Sequence, residues 1–163
     1  MKGFSKIGFG GGCHWCSEAY FQHLKGVKKV EQGWISSEPP NDSFSEAVQV
    51  YFDEEEIPLE TLIQVHLYTH SSTNEHKFRD KYRSAIYTSC ESKEIIKQIL
   101  DGIQKEFDEK IITQILPNID FKLNDEQFQN YFEKNKNNGF CSRYINPKLL
   151  KIQEKFSKYY QGS

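Results

Sequence analysis

The 163-residue sequence predicts one domain, residues 1–163, in which helices pack on a mixed β-sheet of α/β or α+β type. Three observations support this. The length suits a single core, since globular chains divide into further domains only beyond about 100 to 200 residues. Segments with the two-residue period of strands alternate with segments whose apolar residues recur at helical spacing. Hydrophobic residues make up 37% of the chain and aromatic ones 14%, with twelve Phe and nine Tyr to fill an interior.

A short strand is expected around Phe4 to Phe9, running into Gly10-Gly11-Gly12. Cys16, Ala19, Tyr20 and Leu24 then recur at helical spacing until Gly26, which places Cys13 at a strand-to-helix corner. Val27 to Ile35 and Phe44 to Phe52 have strand character, and Ser36 to Ser43 between them gathers turn residues. In the second strand Phe44, Glu46, Val48, Val50 and Phe52 share one face, so Glu46 interrupts an apolar row.

Pro58 to His70 carries Leu59, Leu62, Ile63 and Leu67 as a helical stripe, with Pro58 suited to its first turn. A short strand is expected over Ser84 to Tyr87, an amphipathic helix from Ile95 through Phe107 and a strand over Ile111 to Leu116. Phe128 to Phe132 predicts a further helical turn or two, and Gly139-Phe140 leads to Cys141. Pro147 opens a last helix, with Leu149, Leu150, Ile152 and Phe156 expected to face inward.

Lys and Arg number 21 against 23 Asp and Glu, a balance that argues against nucleic acid or an anionic membrane surface as partner. The stretch Met1 to Gly12 lacks the apolar core of a signal peptide, and no window approaches the length of a membrane span. A cytoplasmic monomer is the default expectation. Four cysteines, at 13, 16, 90 and 141, are few for a disulfide-stapled scaffold and favour catalytic or redox use.

Cys13 carries the strongest chemical signal. Glycines allow close approach of backbone to a ligand, and the free N–H groups of a helix N-terminus stabilise a thiolate. Cys13-His14-Trp15-Cys16 also has the spacing of a redox dithiol or of half a zinc site. A second ligand pair for zinc is lacking, because Cys90 and Cys141 stand alone and the stripe containing His66 and His70 is explained by packing. Glu46, facing the apolar side of its strand, would be desolvated; that favours the protonated acid and makes it a candidate proton donor.

Gly11-Gly12-Cys13-His14-Trp15-Cys16-Ser17-Glu18-Ala19 resembles the active-site signature of the A-type peptide methionine sulfoxide reductases. Gly26-Val27, Gly33-Trp34, Glu46-Ala47-Val48-Gln49-Val50 and Tyr82-Arg83-Ser84-Ala85-Ile86-Tyr87 are similar to further family segments in the same order. Tyr131 to Asn135, followed by Gly139-Phe140-Cys141, resembles the segment carrying the recycling cysteine. The resemblance implies a compact two-layer α+β fold, a ferredoxin-like core with additions, acting on the S epimer of methionine sulfoxide.

By the same resemblance Cys13 is the nucleophile, Glu46 the acid and Cys141 the resolving thiol, with Cys16 competing for that last role. Trp15 and the residue at position 14 line the substrate methyl pocket, and Tyr82 donates to the sulfoxide oxygen. No bound cofactor is implied, only an external dithiol such as thioredoxin or dithiothreitol. Cys90 has no matching role.

Three departures stand out. His14 replaces the usual phenylalanine, the loop between Trp34 and Glu46 lacks a tyrosine, and Lys77 stands where the family has an aspartate, with Asp80 a possible substitute. They leave two other functions open: a relative that binds oxidised methionine or senses oxidants without turnover, and a dithiol oxidoreductase using Cys13 and Cys16.

Overall fold

The computed structural model describes residues 4–161. Strands β1 (Ser5–Gly10), β2 (Val27–Ser36), β3 (Ser45–Phe52), β4 (Ala85–Thr88), β5 (Gln114–Pro117) and β6 (Asp120–Leu123) form one sheet in the order β5-β4-β1-β3-β2-β6. Helices α1 (His14–Gln22), α2 (Leu59–Thr69), α3 (Lys93–Ile103), α4 (Tyr131–Lys134) and α5 (Asn146–Lys155) complete the chain. The run β1-α1-β2-β3-α2-β4, with β4-β1-β3-β2 at the sheet centre, is the ferredoxin-like core; β5 and β6 are edge additions. Only the β4–β5 pairing is parallel, so the sheet is mixed.

The period of two in β3 sorts its residues as the sequence implies. Val48, Val50 and Phe52 join Ile7 and Phe9 of β1 in the main core, under Ala19, Tyr20 and Phe21 of α1 and Leu62, Ile63 and Val65 of α2. Phe9 and Phe21 stack with ring centroids 4.8 Å apart. Each such fully buried aromatic contributes roughly 1.5–3 kcal/mol relative to exposure. Ala47 points to the opposite face, into a smaller cluster with Ile35, Ala85 and Tyr87.

Several expectations need correction. Phe44 lies outside β3, which begins at Ser45, and is exposed. Pro58 is the residue before α2 rather than part of its first turn. Leu150 is 59% exposed, because it follows Leu149 by a 100° step while Leu149 and Ile152, three apart, take the inward face. The helix expected over Phe128 to Phe132 is broken at Asn130, whose φ of 56° ends a 3₁₀ turn (Glu126–Phe128) and starts α4. No helix among the described residues is long and apolar enough to cross a membrane.

Candidate active site

The corner between β1 and α1 is fixed by a glycine that no other residue can replace without movement. Gly11 has φ +153°, and a Cβ there would lie 2.4 Å from the His70 ring. Cys13 is the N-cap of α1, and its carbonyl accepts from the N–H groups of Cys16 and Ser17, both at 3.1 Å. The half-buried Cys13 thiol is held below its ordinary range, chiefly by a hydrogen bond from the Cys16 thiol and further by the backbone N–H groups of Cys16 and Trp15. Burial and the Glu46 carboxylate oppose that shift.

Cys16 shows the reciprocal effect. Its thiol is pushed far up because it donates to Cys13, and burial adds to this. It is a proton donor to its neighbour and a poor nucleophile itself. The Tyr20 hydroxyl, one turn further on, bonds to Cys16 and donates to the Tyr144 carbonyl at 3.3 Å. Cys141, at the start of a π-helical turn (Cys141–Ile145), has no exposure and is raised by burial. It lies within electrostatic reach of Cys16, and all four cysteines are free. Cys90 is exposed.

The register places Glu46 opposite Trp34 and buries it to 8% exposure. Its Oε1 accepts from the His14 backbone N–H at 3.1 Å, and Lys81 Nζ stands 3.7 Å from Oε2. His14 Nδ1 donates to the Gly33 carbonyl at 2.6 Å, its ring meets Trp34 edge-on at 5.1 Å, and Nε2 lies 3.5 Å from Glu46 Oε1. Burial holds the imidazole below its ordinary value, so His14 is a neutral neighbour of Glu46. Trp15 stacks on Tyr131 at 4.1 Å and 8°, with Phe128 beyond and Phe140 edge-on at 5.6 Å; its indole N–H is buried with no hydrogen-bond partner among the described residues.

A cavity of about 880 Å³ opens in front of Cys13, between Gly11, Gly12, Tyr82 and Phe140. The structure therefore brings Cys13, Cys16 and Tyr82 to one space, with Glu46 and His14 joined to the same corner through the α1 backbone. Lys77 is exposed and covers the Phe78 ring; Asp80 is exposed and lines no part of this cavity.

Three supporting residues escaped the sequence reading. Lys81 links Glu46 to Tyr82, whose ring centroid is 5.1 Å from its ammonium. Buried Arg79 donates to the carbonyls of Gly11 at 3.0 Å, Tyr82 at 2.8 Å, Asn74 at 3.0 Å and Ser71. Buried Glu18 accepts from Gln32 and from the backbone N–H groups of Asn130 and Tyr131, which fixes the ring beneath Trp15. None belongs to an apolar period, the signal that located the elements. Only the two-residue spacing of Arg79 and Lys81 ahead of Tyr82 and Arg83 hints at a cationic collar.

Known proteins resemble the chain in sequence and in fold. The family model for peptide methionine sulfoxide reductase matches residues 5–160. The peptide methionine sulfoxide reductase MsrA 1 of Rhodopirellula baltica is 31% identical, covering 94% of this chain and 88% of its own. MsrA of Deinococcus radiodurans is 33% identical, covering 90% and 79%. Among solved structures, methionine sulfoxide reductase A of Corynebacterium diphtheriae superposes with a TM-score of 0.71 at 23% identity, covering 83% of this chain and 77% of that one. Mxr1 of Saccharomyces cerevisiae in complex with Trx2 gives 0.62 at 22% identity, covering 78% and 84%. With a matching family model over nearly its whole length and relatives above 30% identity, the chain belongs to the peptide methionine sulfoxide reductase family.

Proposed function

We propose that the chain reduces methionine S-sulfoxide, free or within proteins, with Cys13 as nucleophile and Glu46 as proton donor, and so repairs oxidised methionine. The observation that carries this reading is the placement of Cys13 as the N-cap of α1 on the cavity wall, with its thiol held below its ordinary range, which favours a thiolate facing the cavity. The thiolate attacks the sulfoxide sulfur while Glu46 protonates the oxygen; the hydroxyl then passes from the methionine sulfur to the Cys13 sulfur as the transient S–S bond breaks, so methionine leaves and Cys13 becomes a sulfenic acid. Tyr82, which lines the cavity, donates to the oxygen during this transfer; Trp15 and His14, outside its walls, follow Cys13 on α1 and are the proposed neighbours of the substrate methyl group.

Cys141 then attacks the sulfenic sulfur, releasing water and leaving a Cys13–Cys141 disulfide. Because Cys141 is enclosed, this step requires the segment around its π-helical turn to move toward Cys13. The external dithiol that restores both thiols is a thioredoxin, as the complex of the yeast relative suggests, within a reducing cytoplasm. Cys16, one helical turn from Cys13, is the alternative partner for this disulfide, disfavoured by the proton that its raised thiol retains.

A single turnover without added reductant tests the scheme. Reduced protein mixed with methionine S-sulfoxide should yield about one methionine per chain and a Cys13–Cys141 bridge in the peptide map. A Cys13–Cys16 bridge would transfer the resolving role to Cys16. Absence of methionine would overturn the reductase reading in favour of binding or oxidant sensing.

A further inference from the structure

The walls of the cavity in front of Cys13 include Lys148, Lys151, His70 and His76, and no Asp or Glu. The two lysines differ. Lys151 Nζ donates to the Tyr68 carbonyl at 3.3 Å and lies over the Tyr68 ring. Lys148 is half-buried and has no hydrogen-bond or ion-pair partner among the described residues. Burial lowers its ammonium, and neighbouring Lys151 lowers it further. A partly desolvated cation without a counter-charge is unfavourable by itself and becomes favourable once an anion enters.

Its position follows from two helices. Cys13, Ser17 and Tyr20 mark one face of α1 along the cavity, seven residues that rise about 10 Å at 1.5 Å each. Beside Cys16 the Tyr20 hydroxyl donates to the Tyr144 carbonyl, and Lys148 follows Tyr144 by one helical turn, about 6 Å further toward the other end of the wall. An extended peptide advances about 3.3–3.6 Å per residue, so a group one to three residues from the sulfoxide reaches this end. A cavity of 880 Å³ also exceeds the needs of one methionine side chain.

We propose that Lys148 is the receptor for a substrate carboxylate, so that methionine sulfoxide is preferred when an acidic side chain or a chain-terminal carboxylate lies one to three residues away. The assignment rests on the reading of this cavity as the sulfoxide site. It makes the enzyme selective among oxidised proteins, favouring methionines in acidic or C-terminal settings. The carboxylate replaces water around the Lys148 ammonium while the sulfoxide sits at Cys13.

The test compares three hexapeptides containing methionine S-sulfoxide: neutral and amidated, the same with glutamate two residues away, and neutral with a free C-terminus two residues away. Specificity constants with dithiothreitol are measured in the unmodified protein, Lys148→Gln and Lys148→Arg, and peptide anisotropy is followed with Cys13→Ser at low and high salt. At low salt the expected preference for at least one carboxylate peptide over the neutral one is about tenfold, weakening with salt. Lys148→Gln should bring the ratio near one and Lys148→Arg should keep it. Preference for only the glutamate or only the terminal peptide identifies the source of the carboxylate. Equal handling of all three by the unmodified protein, or a ratio that survives Lys148→Gln, overturns the proposal. Absent turnover with intact, carboxylate-selective binding would sink the reductase reading and leave the Lys148 site standing.

Discussion

Arg79→Met removes a guanidinium from the centre of the site while keeping most of the aliphatic stem. The native side chain donates to four carbonyls, of which Ser71 and Asn74 belong to exposed residues and Gly11 and Tyr82 turn inward. Water can replace the first two acceptances. The inner pair loses charge-assisted bonds of about 1.5–3 kcal/mol each, partly offset because the guanidinium no longer has to be desolvated. The net loss should be about 2–4 kcal/mol, which for a chain of this length lowers Tm by roughly 5–15 °C. Differential scanning calorimetry measures it. Arg79→Lys, with one compact donor in place of a planar fork, should recover less than half. Since Gly11 precedes Cys13 by two residues and Tyr82 lines the same cavity, kcat for sulfoxide reduction should fall alongside. A Tm loss below about 2 °C, or full rescue by lysine, would refute the idea that the fork geometry holds the corner.

Glu46→Gln should slow sulfoxide reduction by about 100-fold or more in stopped-flow single turnovers. Cys13 should still react with iodoacetamide; unchanged reduction would remove Glu46 from the mechanism. Cys16→Ala removes the largest cause of the lowered Cys13 value, so the midpoint of the alkylation rate against pH should move up, and an unmoved midpoint would show that the helix terminus alone is sufficient. His70, stacked on buried His66, is held at about 4 in the fold against an ordinary 6.5, first by burial. Between those values the unfolded chain binds a proton that the folded chain refuses, so stability should fall as pH drops from about 6.5 to 4, by roughly 3 kcal/mol from this group. Urea titrations across that range should show a shallower decline in His70→Gln.

The sequence made the centre of the sheet legible because strand and helix periods act over several residues at once. Three apolar positions under α1 and α2, Val48, Val50 and Phe52, tie β3 to one register, and that register buries Glu46. The edges carried little signal. β6 spans four residues with three of them exposed, so nothing alternates, and its place beside β2 follows from backbone pairing. Leu150 misleads because an apolar residue beside a buried one is counted as core unless the helix phase is resolved to a single step. At the site, Cys13 was marked by its glycines and Glu46 by its strand. The four carbonyls gathered by Arg79 and the depth of Cys141 depend on how distant segments meet, which no local period records.

Phe140 touches the ring of Trp15 edge-on and immediately precedes Cys141. Carrying the sulfur of Cys141 toward Cys13 therefore drags an aromatic wall away from an indole that otherwise rests on Tyr131. The chain holds only two tryptophans, and the other lies beside His14 on β2. On the proposed Cys13–Cys141 cycle, disulfide formation should wet Trp15 and return of the thiols should dry it again, so a shift in intrinsic emission on oxidation would let the cycle be watched in unlabelled protein.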